Sequence, residues 1–176
     1  MRREVVAVFA ALLVGAATAR GQACSEDPAY AALDFWVGEW DVRVDGEPVG
    51  ENRIEKILDG CAILEHWADA RGHEGKSLFY YVPARDELRQ VWVTEAPGTP
   101  GGVKEKALVE RLEGGGVRFQ GDVPVPGGGS YLDRTTLTPE TDGTVRQRIE
   151  RSTDGGATWQ VGFDAVYHRR SSETGR

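Results

Sequence analysis

The side chains most suited to chemistry in this sequence sit in segments that alternate like β-strands. Glu65 and Trp67 share one parity in Cys61 to Asp69, and Gln90, Trp92 and Thr94 share one in Leu88 to Glu95. Gln147 is flanked by Val145 and Ile149 at period two, and Arg134 lies in Ser130 to Leu137. A carboxylate, amides, a guanidinium and indoles lining a hollow sheet structure would fix the orientation of a small ligand. The same set offers an enzymatic reading, with Glu65 as acid/base and Gln147 or Arg134 positioning substrate. It also offers a bland one, in which the groups satisfy each other inside a filled interior. Glu65 would share its side with Cys61, Ile63 and Trp67, and a buried carboxylate needs a partner; Arg134 and Gln147 have suitable chemistry.

Other chemistries find no footing. The three histidines, His66, His73 and His168, have no metal-ligand spacing. No nucleophile elbow, P-loop or dinucleotide fingerprint is present. We therefore expect no metal and no cofactor. The formal charge of −7 argues against a nucleic-acid partner.

The elements that must position these residues are short strands between turn residues. From Trp40 the chain alternates, with Trp40, Val42 and Val44 on one side and Asp41, Arg43 and Asp45 on the other. Asp45-Gly46 and Asp59-Gly60 mark turns. Further strands are expected over Gly50–Leu58, Cys61–Asp69, Lys76–Val82, Leu88–Glu95, Val103–Leu112, Val117–Val123, Ser130–Leu137, Thr144–Arg151 and Trp159–Arg169. The stretch before them, Leu33 to Val42, reads as a short helical turn, then Gly38, then the first strand. No segment shows ten residues of clean helical period, which argues against a parallel α/β sheet. The expectation is an all-β, antiparallel up-and-down barrel of about ten strands with a short N-terminal helical turn.

A longer set of residues carries a resemblance. Gly38-Glu39-Trp40 looks like the Gly-x-Trp signature that opens the first strand of lipocalins and other calycins. With it come Phe35-Trp36-Val37, Gly60-Cys61, Glu65-x-Trp67, Val145-Arg146-Gln147, Ser152-x-Asp154-Gly155-Gly156-x-Thr158-Trp159 and Phe163-Asp164-x-x-Tyr167-x-Arg169. Together they resemble an uncharacterised family of bacterial lipocalin-like proteins of the DUF1579 type, over nearly all of the chain after residue 23. The resemblance implies a calycin-like barrel and no established activity. It implies that a C-terminal arginine, Arg169 or Arg170, packs over Trp40 at the barrel base, so that Gly38, Trp40 and Arg169 are structural. Haem binding, as in nitrobindin-like calycins, is disfavoured because Val42 stands where a second glycine would be. Ser152 to Trp159 also matches the Asp-box pattern of sialidases, which in a single copy serves as a hairpin device rather than a glycosidase feature.

Residues 1–23 read as a removable signal peptide. Arg2 and Arg3 precede an apolar run from Val5 to Ala17, too short to span a bilayer, and Ala17-Thr18-Ala19 offers a small-x-small cleavage site, with Gly21-Gln22-Ala23 a second candidate. Loss of Arg2, Arg3, Arg20 and Glu4 removes a net +2, taking the formal charge from −7 to −9. Residues 24–176 then form one domain, periplasmic or secreted. For Cys24 and Cys61 three readings stay open: a disulfide worth about 3–4 kcal/mol, lipidation of Cys24, or free thiols. Only lipidation would bring a membrane partner. The function expected is the binding of a small, partly apolar molecule, the alternatives being an enzyme or an envelope module with a filled interior.

Overall fold

A computed structural model describes residues 24–170. The signal-peptide and cleavage expectations, and the polar residues after 170, lie outside the described residues. The described chain is a closed barrel of ten antiparallel strands, each hydrogen-bonded to its neighbours in sequence, with β1 closing onto β10. The strands are β1 Gly38–Val44, β2 Glu47–Ile57, β3 Ala62–Asp69, β4 Glu74–Val82, β5 Glu87–Thr94, β6 Val103–Arg111, β7 Val117–Pro124, β8 Ser130–Pro139, β9 Val145–Ser152 and β10 Gln160–Arg169. Closure leaves no unpaired sheet edge, so the meander needs no covering helix. Only short 3-10 turns interrupt it.

Boundaries follow turn chemistry. Asp45 and Gly46 both take positive φ, 50° and 86°. That is the geometry of a tight two-residue hairpin, and Val44 pairs directly with Glu47. Strand β2 therefore begins at Glu47, earlier than the Gly50 expected from sequence, and Pro48 is tolerated because it falls beside the turn.

One end of the barrel is plugged. A 3-10 turn, Asp34–Trp36, brings Trp36 beneath the barrel, where Trp36 and Trp40 are fully buried with Leu33, Phe79 and Tyr167. The rings meet edge to face: Trp36 with Phe79 at 5.8 Å, Trp36 with Tyr167 at 5.9 Å and Phe79 with Phe119 at 5.5 Å. Trp40 Nε1 donates to the Trp36 carbonyl at 2.8 Å. Outside the plug, the Arg169 guanidinium lies 4.3 Å from the Trp40 ring centroid and donates to the Val37 carbonyl at 3.0 Å. Gly38 is required here, since its φ is 144° and a Cβ would collide with Arg169. Cys24 and Cys61 are joined by a disulfide that fastens the leading 3-10 turns to the β2–β3 connection.

Candidate functional site

The other half of the barrel is hollow. Glu65, Gln90, Lys106, Thr135, Gln147 and Tyr167 form a polar belt above the plug, and Trp67, Trp92, Ile149 and Phe163 form an apolar rim, with Lys104 beside them. Together they line a cavity of about 190 Å³. The alternation of each strand sends these side chains inward. Two glycines make the space. Gly50 and Gly75 sit where a Cβ would strike the rings of Trp67 and Trp92. Each indole thus lies against a neighbouring strand's bare backbone instead of filling the lumen. Trp67 also meets Phe163 edge to face at 6.2 Å.

Glu65 faces inward, as its parity suggested, and is 4 % exposed. Its hydrogen-bond partner is Asn52, whose Nδ2 donates to Oε1 at 2.8 Å. Burial pushes the Glu65 carboxyl above its ordinary range, against the opposing pulls of Ser77, Asn52 and the Lys106 charge. Tyr167 donates to Gln147 Oε1 at 2.7 Å, and burial, with the Glu65 charge, holds its phenol well above the usual value. Gln90 Nε2 donates to Ser77 Oγ at 3.0 Å. The Gln90 side-chain oxygen, in a residue 7 % exposed, has no hydrogen-bond partner.

Opposite Glu65 stands an ionic cluster that the sequence reading missed. Asp133 is fully buried, and both its oxygens are engaged by lysines: Lys104 Nζ reaches Oδ2 at 2.9 Å, and Lys106 Nζ contacts Oδ1. Lys106 also donates to Thr135 Oγ1 at 2.6 Å. Arg151 approaches Asp133 at 3.8 Å from the mouth. Burial pushes the Lys106 ammonium down to about 8; Asp133 opposes this, and Lys104 reinforces it. Apolar parity hid this cluster. Val103, Ala107 and Val109 alternate in β6 as though they faced the core, yet Val103 and Val109 are 40 % and 55 % exposed. The usable signal was Leu108, which shares the lysines' parity and packs on the core.

Arg134 is a correction. It was expected inside with Glu65, but Asp133 and Thr135 take the inward positions of β8, so Arg134 points outward. There it forms a bidentate pair with Glu150 at 2.7 and 3.1 Å. Its guanidinium also lies 3.9 Å from the Trp159 ring centroid. The Asp-box hairpin explains this recruitment. Asp154 accepts from the Thr158 amide and hydroxyl at 2.9 and 2.6 Å, and Trp159 Nε1 donates to the Gly156 carbonyl at 3.0 Å. These bonds fold the turn so that the indole lies on the outer wall within reach of Arg134.

Trp67, Gln90, Trp92 and Gln147, by contrast, are brought together with Glu65 around the cavity. The histidines stand apart from it. His66 faces outward between Glu55 and Lys76, His73 bonds Asp69 in a turn, and His168 is exposed. Among the described residues no group of His, Cys, Asp and Glu has the geometry to hold a metal. Comparison with protein-family models and with curated proteins gives no match to this chain.

Proposed function

We propose that this protein is an exported lipocalin-like carrier that binds one small, partly apolar molecule in the open half of its barrel. The observation that carries the reading is the cavity itself, an apolar rim over a polar belt in which the Gln90 oxygen lacks a donor. A buried acceptor without a partner is costly, and a ligand or an ordered water bearing a donor would relieve it. A filled envelope module would have no reason to keep two indoles folded back over glycines. The Cys24–Cys61 disulfide supports an oxidising compartment, in keeping with export. Kinship with the DUF1579-type proteins belongs to the same reading and rests on the residue matches given above.

Native mass spectrometry of protein purified from its own cells tests the proposal. The expected result is a retained small molecule that leaves on denaturation. Repeatedly empty spectra, with tryptophan fluorescence unmoved by small aromatic probes, would overturn it in favour of the envelope module.

One observation favours a second reading, catalysis. Glu65 is pushed up and Lys106 pushed down within one cavity, so both are driven toward neutral forms suited to proton transfer. Glu65→Gln protein should then retain the unreacted substrate, which chromatography and fragmentation tell apart from the molecule held by wild type even where their masses are equal. A carrier yields the same molecule from both.

A further inference from the structure

We infer that the cavity is built for a small flat carboxylate, its anionic group seated on Lys104 and Lys106 and its ring among Trp67, Trp92 and Phe163. The inference rests on the ligand-binding reading and adds the ligand's charge and size.

Donor counting comes first. Two ammonium groups carry six N–H donors. The protein acceptors found for them are the two Asp133 oxygens and Thr135 Oγ1. The remaining donors belong to side chains that line the cavity and are 8 % and 3 % exposed, so little bulk water reaches them. A carboxylate supplies acceptors of the right charge, and charge-assisted bonds are the strong ones.

Charge balance points the same way. Lys104, Lys106 and Arg151 converge on one carboxylate, Asp133. Glu65, the other inward acid, is occupied by Asn52. Arg151 is half exposed at the mouth and stands outside the balance, while burial favours the protonated form of Glu65, so the two buried lysines face a single carboxylate, Asp133. An anionic guest removes the surplus, and a cationic guest would add to it.

Size and lining fix the rest of the molecule. A cavity of about 150 Å³ holds one benzene. At about 190 Å³ this one admits a ring with a carboxylate attached. It falls below the roughly 300–1,000 Å³ of drug-sized sites, so the part of a guest held inside is no larger than a substituted ring. Two indoles and a phenyl ring at the rim offer faces and edges to a flat guest.

Benzoate, benzamide and benzamidine share a shape and differ in charge, so calorimetric titration of the purified protein with the three separates charge from fit. Benzoate should bind about tenfold or more tighter than benzamide, the gap expected of hydrogen bonds to a charged group. Benzamidine should be the weakest. Lys104→Met should close the gap between benzoate and benzamide, and Lys104→Gln serves as a second variant should the first unfold. Equal affinity for benzoate and benzamide, preference for benzamidine, or a gap that survives in both variants overturns the inference while the cup still binds rings. No binding of any probe at millimolar concentration, with empty native spectra, overturns the ligand-binding reading along with it.

Discussion

Replacing Lys106 by methionine should erase a pH-dependent gain in stability that the wild-type protein shows in mild alkali. Lys106 is 3 % exposed and faces Asp133, Thr135, Lys104 and Glu65. Burial outweighs the two acids and brings its pKa from 10.5 down to about 8. In the unfolded chain the ammonium keeps its proton up to the ordinary value. Between the two values the unfolded state therefore binds more protons, and stability rises with pH. Integrating that difference from about pH 7 to about pH 9.5 gives a gain of about 2 kcal/mol. Methionine has no proton to lose, so its profile should lack this rise. Tyr131 and Tyr167, whose phenols are raised by burial, are common to both proteins and drop out of the comparison. The assay is urea unfolding followed by tryptophan fluorescence at a series of pH values. A constant offset between the two proteins reflects packing and the partner lost by Asp133, so only the change of the difference with pH counts. If that difference varies by less than about 0.5 kcal/mol over the range, the ammonium is solvated and the buried cluster is wrongly drawn.

Trp40→Ala should cost about 3–5 kcal/mol, since it deletes a fully buried ring from the plug; an unchanged denaturation midpoint would deny Trp40 that role. Cys61→Ser should cost about 3–4 kcal/mol through release of the loop closed with Cys24, and wild-type protein unfolded under reductant should match it. Glu65 is raised by burial, so the folded state holds its proton to higher pH than the unfolded state does. Its stabilising contribution is complete below the ordinary carboxylate value and is lost as pH rises through the folded value. Glu65→Gln should lack this decline, and superimposable stability–pH curves for the two proteins would place Glu65 in solvent.

The sequence by itself determined the architecture. Alternation from Trp40 onward, Asp-Gly turns and the absence of helical period leave little besides an antiparallel barrel, because side-chain period and turn geometry are local properties. It also determined which way Glu65, Gln90 and Gln147 face, since Ile63, Trp67, Trp92, Val145 and Ile149 mark the same parity in their strands. Tertiary structure alone decided the rest. In β6 and β8 apolar residues occupy both parities, so alternation could not tell that Lys104, Lys106 and Asp133 point inward and Arg134 outward. The partner of Glu65 proved to be Asn52 on β2, a choice set by strand register, which links residues distant in sequence. The hollow upper half arises from Gly50 and Gly75 lying beneath Trp67 and Trp92. Each of those contacts joins a residue on one strand to a gap on another, and that information exists only once the barrel has closed.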